Sequence, residues 1–212
     1  MCGIVGYVSA NPGKNDRFKL FKLLKQSRIR GIHSYGISYL DKGKIQTEKF
    51  YQNEFNKIKI PHSKLFIFHN RYSTSGDFRN HKNNQPLQIE DTSMVFNGVI
   101  DMRTKEEMQS AWGIKMTSDN DGEIVLRKSD LDPHKMLEII KVCGSYSGLV
   151  LKVFKDDARL YAMTNGYRPL WILKDGDSFF FASTKDIFIR AFGDVCPKQL
   201  QINTVKEWQI TK

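Results

Sequence analysis

Short runs rich in Ile, Val, Phe and Tyr, each bounded by turn residues, recur along the chain. They predict strands over 3–8, 35–40, 44–50, 65–70, 93–99, 147–154, 158–164, 169–173, 178–182 and 205–210. Asp41-Lys42-Gly43 and Lys174-Asp175-Gly176-Asp177 are short enough to close hairpins, so the pattern points to antiparallel rather than parallel sheet. The period changes over 16–29, where Phe18, Phe21, Leu24 and Arg28, with Leu20 and Leu23, fall at helical spacing and Gly31 follows as a stop. Thr104 and Glu107 read as a capping box that opens a helix through about Trp112. Asp132 and Pro133 open another that ends at Gly144, and Ser183 and Asp186 open a last short one closed by Gly193. Many strands with a few helices predict layered α+β packing, and neither a repeat nor a low-complexity linker divides residues 1–212.

Composition narrows the class without choosing a function. The 212 residues are 40% hydrophobic and 26% charged, as in ordinary globular domains, and suffice for one buried core. No apolar run approaches the roughly 20 residues needed to cross a bilayer, and Met1–Val8 lacks the basic start of a secretory signal. No membrane association and a cytoplasmic location are therefore expected. Cys2, Cys143 and Cys196 are odd in number and widely spaced, which argues against a disulfide framework and against a CxxC-type metal site. Cys143, ending an apolar helix, and Cys196, before Pro197, read as packing residues. The net charge of +10 comes from 33 basic and 23 acidic residues. The lysines are scattered, so a solvated basic surface is favoured over a nucleic-acid partner, which stays possible.

The candidate chemistry begins at position 2. Removal of Met1 would leave Cys2 with a free α-amine, whose reference pKa near 8 leaves a neutral fraction at pH 7. The thiol and a base would then belong to one residue, the arrangement known for N-terminal threonine nucleophiles. Taken alone, a cysteine at position 2 is incidental. Its context is Met1-Cys2-Gly3-Ile4-Val5-Gly6, followed by Arg30-Gly31-Ile32-His33-Ser34-Tyr35-Gly36 and His69-Asn70-Arg71-Tyr72-Ser73-Thr74-Ser75-Gly76. Further on come Asn84-Gln85-Pro86-Leu87, Val95-Phe96-Asn97-Gly98-Val99-Ile100 and Ser118-Asp119-Asn120-Asp121-Gly122-Glu123-Ile124-Val125. Asn165-Gly166-Tyr167-Arg168-Pro169-Leu170 and Phe181-Ala182-Ser183 complete the series.

In this order the segments resemble the class II glutamine amidotransferases, the N-terminal-nucleophile glutaminase family. The resemblance covers nearly the whole chain. It implies a four-layer αββα sandwich with two antiparallel sheets, and a single glutaminase domain without a synthase domain. It also implies Cys2 as nucleophile, with Arg30 and Gly31 against it and Asn97 and Gly98 as the donors that hold a tetrahedral oxyanion. Outside this motif order Asn97-Gly98 reads as a hairpin turn, and Arg30-Gly31 as a helix C-cap. Free glutamine brings an α-carboxylate and an α-ammonium that need partners when enclosed. Arg71 suits the carboxylate and Asp121 the ammonium, with Thr74 and Ser75 adding hydroxyl or backbone contacts. Alternatively Arg71 is a surface arginine and Asp121 a helix cap, Asp119 being the simpler cap of the two. His33 stands where the family usually has aspartate, Phe96 where histidine is usual, and Ser75 where the sugar-phosphate branch has histidine.

The implied activity is hydrolysis of L-glutamine to glutamate and ammonia without metal or organic cofactor, the ammonia passing to a separate synthetase subunit. A stand-alone hydrolase of another γ-glutamyl amide and a non-catalytic basic binding module are the competing expectations.

Overall fold

The computed structural model describes residues 1–73 and 76–211. Its elements run β1 (Gly3–Ser9), α1 (Lys14–Ser27), β2 (Ser34–Asp41), β3 (Lys44–Tyr51), β4 (Leu65–Arg71), β5 (Leu87–Ile89), β6 (Thr92–Val99), α2 (Lys105–Trp112), α3 (Gly122–Lys128) and α4 (Pro133–Val142). They continue with β7 (Ser145–Val153), β8 (Asp157–Thr164), β9 (Trp171–Asp175), β10 (Ser178–Ala182), α5 (Lys185–Phe192), β11 (Lys198–Gln199) and β12 (Val205–Thr211). The strands pair antiparallel in two sheets, ordered β11-β9-β10-β1-β4-β2-β3 and β12-β8-β7-β6-β5.

Three apolar clusters separate the layers. Val5, Tyr7, Phe68 and Phe180 on the outer face of the larger sheet pack with Leu20, Leu23 and Leu24 of α1 and Ile187 and Phe188 of α5. Ile4, Val8, Ile67 and Phe181 meet Val95, Leu149 and Leu151 of the smaller sheet. Met94, Tyr146 and Val150 on that sheet's far face pack with Met108, Ile124, Val125 and Ile140 of α2, α3 and α4. The order of layers is therefore helix, sheet, sheet, helix. β1 is buried along its whole length because it lies inside one sheet and beneath the other.

Several local expectations hold in detail. The β2–β3 hairpin turns at Lys42 and Gly43, with φ of 46° and 76°. Thr104 accepts from the Glu107 backbone while the Glu107 carboxylate accepts from the Thr104 N–H, and Asp132 caps α4 through the His134 and Lys135 amides.

Others need correction. The inward stripe of α1 is Leu20, Leu23, Leu24 and Ser27, whereas Phe21 falls about a third of a turn and Phe18 nearly half a turn away, and both stay exposed. Ser183 does not cap α5, whose N-cap is Thr184. Its hydroxyl accepts instead from the Ile4 amide at 2.8 Å, pinning the start of β1. The sequence marks a helix at α3 only through a possible cap at Asp119 or Asp121, and Asp121 is the residue at its N-cap, without a side-chain capping bond. Gly122 is needed there because the Phe96 ring lies 2.1 Å from where a Cβ would sit. Asp119 is no cap, since it exchanges hydrogen bonds with the Asn83 side chain. Cys196 is exposed rather than a core residue, while Cys143 is partly buried against the α2–α4 core.

Candidate active site

The interlayer between the sheets is apolar at one end and polar at the other. Alternation along β4 puts Ile67, His69 and Arg71 on the inner face, opposite Ser38, Gly36 and Ser34 of β2. On the same face Ile4 pairs with His69. One residue beyond the last registered pair, Gly3–Asn70, the strand reaches Cys2 beside Arg71. From the facing sheet come Asn97 of β6 and Ser147 of β7, a direct cross-strand pair. Asn97-Gly98 is thus not a turn. It is the end of a strand held against β7, and a side chain at 98 would meet the Ser145 carbonyl oxygen at 1.9 Å.

A small cleft of about 30 Å³, room for about one water, brings Cys2 together with Arg71, Asp121, Gly98 and His69. The Cys2 thiol points at the Tyr72 carbonyl, Sγ to oxygen 3.7 Å. Burial pushes the thiol pKa up, only partly opposed by the Tyr72 backbone contact, the chain's amino group and the Arg71 and Arg30 guanidiniums. The group therefore rests as a protonated thiol. Arg30 donates from Nε to the Cys2 carbonyl at 2.8 Å, so it holds the Cys2 backbone rather than its sulfur. Met1 is exposed, with its thioether 3.7 Å from Arg30 Nη2 and 3.4 Å from Arg168 Nη1. Arg168 also donates to the Ser145 hydroxyl next to Gly98.

Gly31 follows a 3₁₀ turn over Arg28–Arg30 and does end the helical segment. Its extended φ of −177° asks nothing of glycine, and the requirement is space. A Cβ there would lie 2.5 Å from the Arg71 carbonyl carbon and 2.6 Å from the Tyr72 nitrogen. His33 fits the loop in place of an aspartate. Its Nδ1 accepts from the Ser73 N–H at 2.9 Å, its ring stacks on Tyr72 and Phe78 at 5.0 Å each, and its own N–H donates to the Arg71 carbonyl.

Arg71 is buried rather than a surface residue. It donates to Asn84 Oδ1 at 2.6 Å and to the Gly76 carbonyl at 3.1 Å, and burial lowers its pKa. Asp121 Oδ2 accepts the Ile100 and Asp101 amides at 2.6 and 3.2 Å. This ties α3 to the end of β6, while burial raises the Asp121 carboxyl. Asp121 and Arg71 are close enough for the carboxylate to support the guanidinium charge. Thr74 and Ser75 lie outside the described residues.

Sequence reading missed three supports. Gln85 accepts the Phe96 amide at 2.6 Å, Asn84 positions Arg71, and Asn120 bridges the Asn83 carbonyl and the Gly122 amide. The Asn84-Gln85-Pro86 and Ser118–Val125 motifs were the signal for them. Phe96, lacking the usual imidazole, stacks on Tyr146 at 5.5 Å. The Nδ2 of Asn97 is buried and donates to nothing among the described residues. No group of three or more His, Cys, Asp or Glu among the described residues could hold a metal ion.

Two antiparallel sheets with helices outside both, and a buried thiol at the polar end of their interlayer, define an αββα sandwich of the N-terminal-nucleophile type. The glutamine amidotransferase domain family matches residues 69–190, more than half of the chain, and the chain belongs to that family. It is 28% identical over 203 residues to the glutamine–fructose-6-phosphate aminotransferase (isomerizing) of Helicobacter pylori, covering 88% of this chain and 33% of that one. To the enzyme of the same name from Rhizobium meliloti it is 30% identical over 201 residues, covering 86% and 31%. The chain thus spans about a third of the length of these relatives. Among solved structures, a glutamine phosphoribosylpyrophosphate amidotransferase from B. subtilis superposes with a TM-score of 0.69 at 20% identity. That match covers 94% of this chain and 44% of the other, a likeness of fold.

Proposed function

We propose that the chain hydrolyses the side-chain amide of L-glutamine, with Cys2 as an N-terminal nucleophile once Met1 is removed. The observation that carries this reading is the convergence of a thiol, a buried cation and a buried carboxylate (Cys2, Arg71, Asp121) in one small cleft. A free amino acid presents one anion and one cation. A cleft that buries both counter-charges is matched to that head group, because an enclosed ion without a partner costs several kcal/mol.

The chemistry is acyl transfer. The freed α-amine of Cys2 takes the thiol proton as Sγ bonds to the amide carbon. Asn97 Nδ2, without another partner among the described residues, and the Gly98 N–H receive the oxyanion. The C–N bond breaks as the ammonium returns its proton to the leaving nitrogen, and ammonia departs. Water then attacks the thioester, giving glutamate and the free thiol. No step calls for a metal or an organic cofactor. Arg30 holds the Cys2 carbonyl, and Gly31 lets its loop close on the Arg71–Tyr72 backbone that the thiol faces.

Ammonia is largely protonated in neutral water, so its transfer to an acceptor enzyme docked on this domain completes the proposal. We assign that acceptor to a separate synthetase subunit. The relatives, about three times as long, carry aminotransferase names, which supports a transfer role for the released nitrogen.

One experiment tests the core of the reading. Intact mass should be lower by one methionine, and ammonia release from glutamine should vanish in Cys2→Ala. Retained Met1 in active protein, or unchanged release by the variant, overturns it.

A further inference from the structure

His69 has no part in that mechanism, yet its burial is costly. The residue is 1% exposed, and both ring nitrogens lack a hydrogen-bond partner among the described residues. An imidazole so placed forfeits the hydration of two polar atoms, and such groups persist where a ligand completes them. The ring lines the cleft that holds Cys2, one inward position deeper along β4 than Arg71. Across β2 its neighbour is Gly36. The missing side chain there lets the Gln85-Pro86 backbone close in, with Gln85 oxygen 2.2 Å from a would-be Cβ. The site is thus closed around the ring.

Its protonation state is fixed. Burial drives the His69 pKa down to about 3, with the nearby Arg71 and Lys49 cations acting in the same direction. At any working pH the imidazole is neutral, with one N–H and one lone pair, and too weakly basic to act as a general base. The Phe96 backbone carbonyl is near enough to favour the proton on the nitrogen facing it, although it does not reach hydrogen-bond geometry. The other nitrogen then carries a lone pair that meets no donor among the described residues.

Asn97 Nδ2, a donor, comes from the facing sheet next to Gly98, which lines the same cleft. One orphan donor and one orphan acceptor match a group with one carbonyl oxygen and one N–H, a primary carboxamide. We infer that His69 contacts the substrate directly, accepting a hydrogen bond from the amide nitrogen being cleaved, and so selects a carboxamide over a carboxylate or an ester. The carboxylate of the product would set a second acceptor against the lone pair, which favours its release. This rests on the proposed glutamine hydrolysis.

The test compares glutamine with its γ-methyl ester, which shares the head group and the carbonyl but has no N–H. In His69→Phe, kcat for glutamine should fall about tenfold or more, as expected for one lost hydrogen bond, while the ester retains most of its rate. His69→Gln, which keeps an acceptor, should recover part of the amide rate. Equal losses on both substrates, or none on either, overturn the assignment while leaving glutamine hydrolysis standing. A wild type that turns over neither substrate overturns the parent reading and this one together. A second measurement leaves His69 in place. In Cys2→Ala protein the ¹⁵N resonance of the His69 acceptor nitrogen should shift when glutamine is added and stay fixed with the ester. A resonance unmoved by saturating glutamine refutes the contact.

Discussion

Gly31→Ala isolates what close backbone packing contributes to the site. The native φ and ψ of −177° and 144° suit alanine, so the backbone conformation itself carries no penalty. The added methyl would lie 2.5 Å from the Arg71 carbonyl carbon, against about 3.4 Å for ordinary contact, so one segment must retreat by about 0.9 Å. Neither side is free to move. The Arg71 carbonyl accepts from the His33 amide at 3.0 Å, and the Gly31 carbonyl accepts from Asn70 Nδ2 at 2.9 Å. Overpacking of this kind costs about 1–3 kcal/mol, which for a domain of this size lowers Tm by roughly 3–10 °C. The displaced atoms carry the Arg71 side chain and lead to the Tyr72 carbonyl that the Cys2 thiol faces. A shift near 1 Å at reacting groups costs on the order of a hundredfold in kcat. The assay is ammonia release from glutamine alongside thermal melting. Gly113→Ala serves as the contrast: its φ is 60° and a methyl there meets nothing within 4 Å. It should lose about 1 kcal/mol from left-handed backbone strain and keep full activity. If Gly31→Ala melts and turns over like the wild type, the packing argument is wrong.

Two further outcomes follow from the loop and from a buried cation. His33→Ala removes the acceptor for the Ser73 amide and two ring stacks, and should destabilise the fold by about 1–3 kcal/mol while raising KM for glutamine, read from urea melts and initial rates. A variant with wild-type stability and KM would show that His33 braces nothing. Lys49, whose ammonium donates to the His81 carbonyl, is held by burial, with Arg71 nearby, at a pKa of about 8. Between about pH 8 and the ordinary lysine value of 10.5 the unfolded chain binds the proton that the folded chain has lost, so the Lys49 contribution to stability rises with pH. Tyr7 and Tyr161, pushed up to about 12 by burial, act oppositely above pH 10. The readout is therefore wild type minus Lys49→Met, whose difference should change steadily from pH 8 to pH 10. A flat difference refutes it.

Local signals decided much of this protein. The strands of both sheets were legible wherever branched and aromatic residues alternated between turns, and the Thr104 and Asp132 caps were legible because capping depends on residues three or four apart. The order of motifs from Cys2 to Ser183 indicated the family. What sequence could not settle were matters of who faces whom. Asn97-Gly98 has the composition of a turn, and only β7 lying alongside makes it a strand end. Gly122 and Gly31 look like breakers or caps, but their smallness answers to the Phe96 ring and to the end of β4, both distant in sequence. Ser183, a cap signal by its neighbours, spends its hydroxyl on Ile4. The stripe of α1 was misjudged because Phe and Leu score alike until a sheet chooses one face. His69 was passed over for the same reason. Its residue type carries little information, and its buried nitrogens, unpartnered among the described residues, exist only because two sheets close over it.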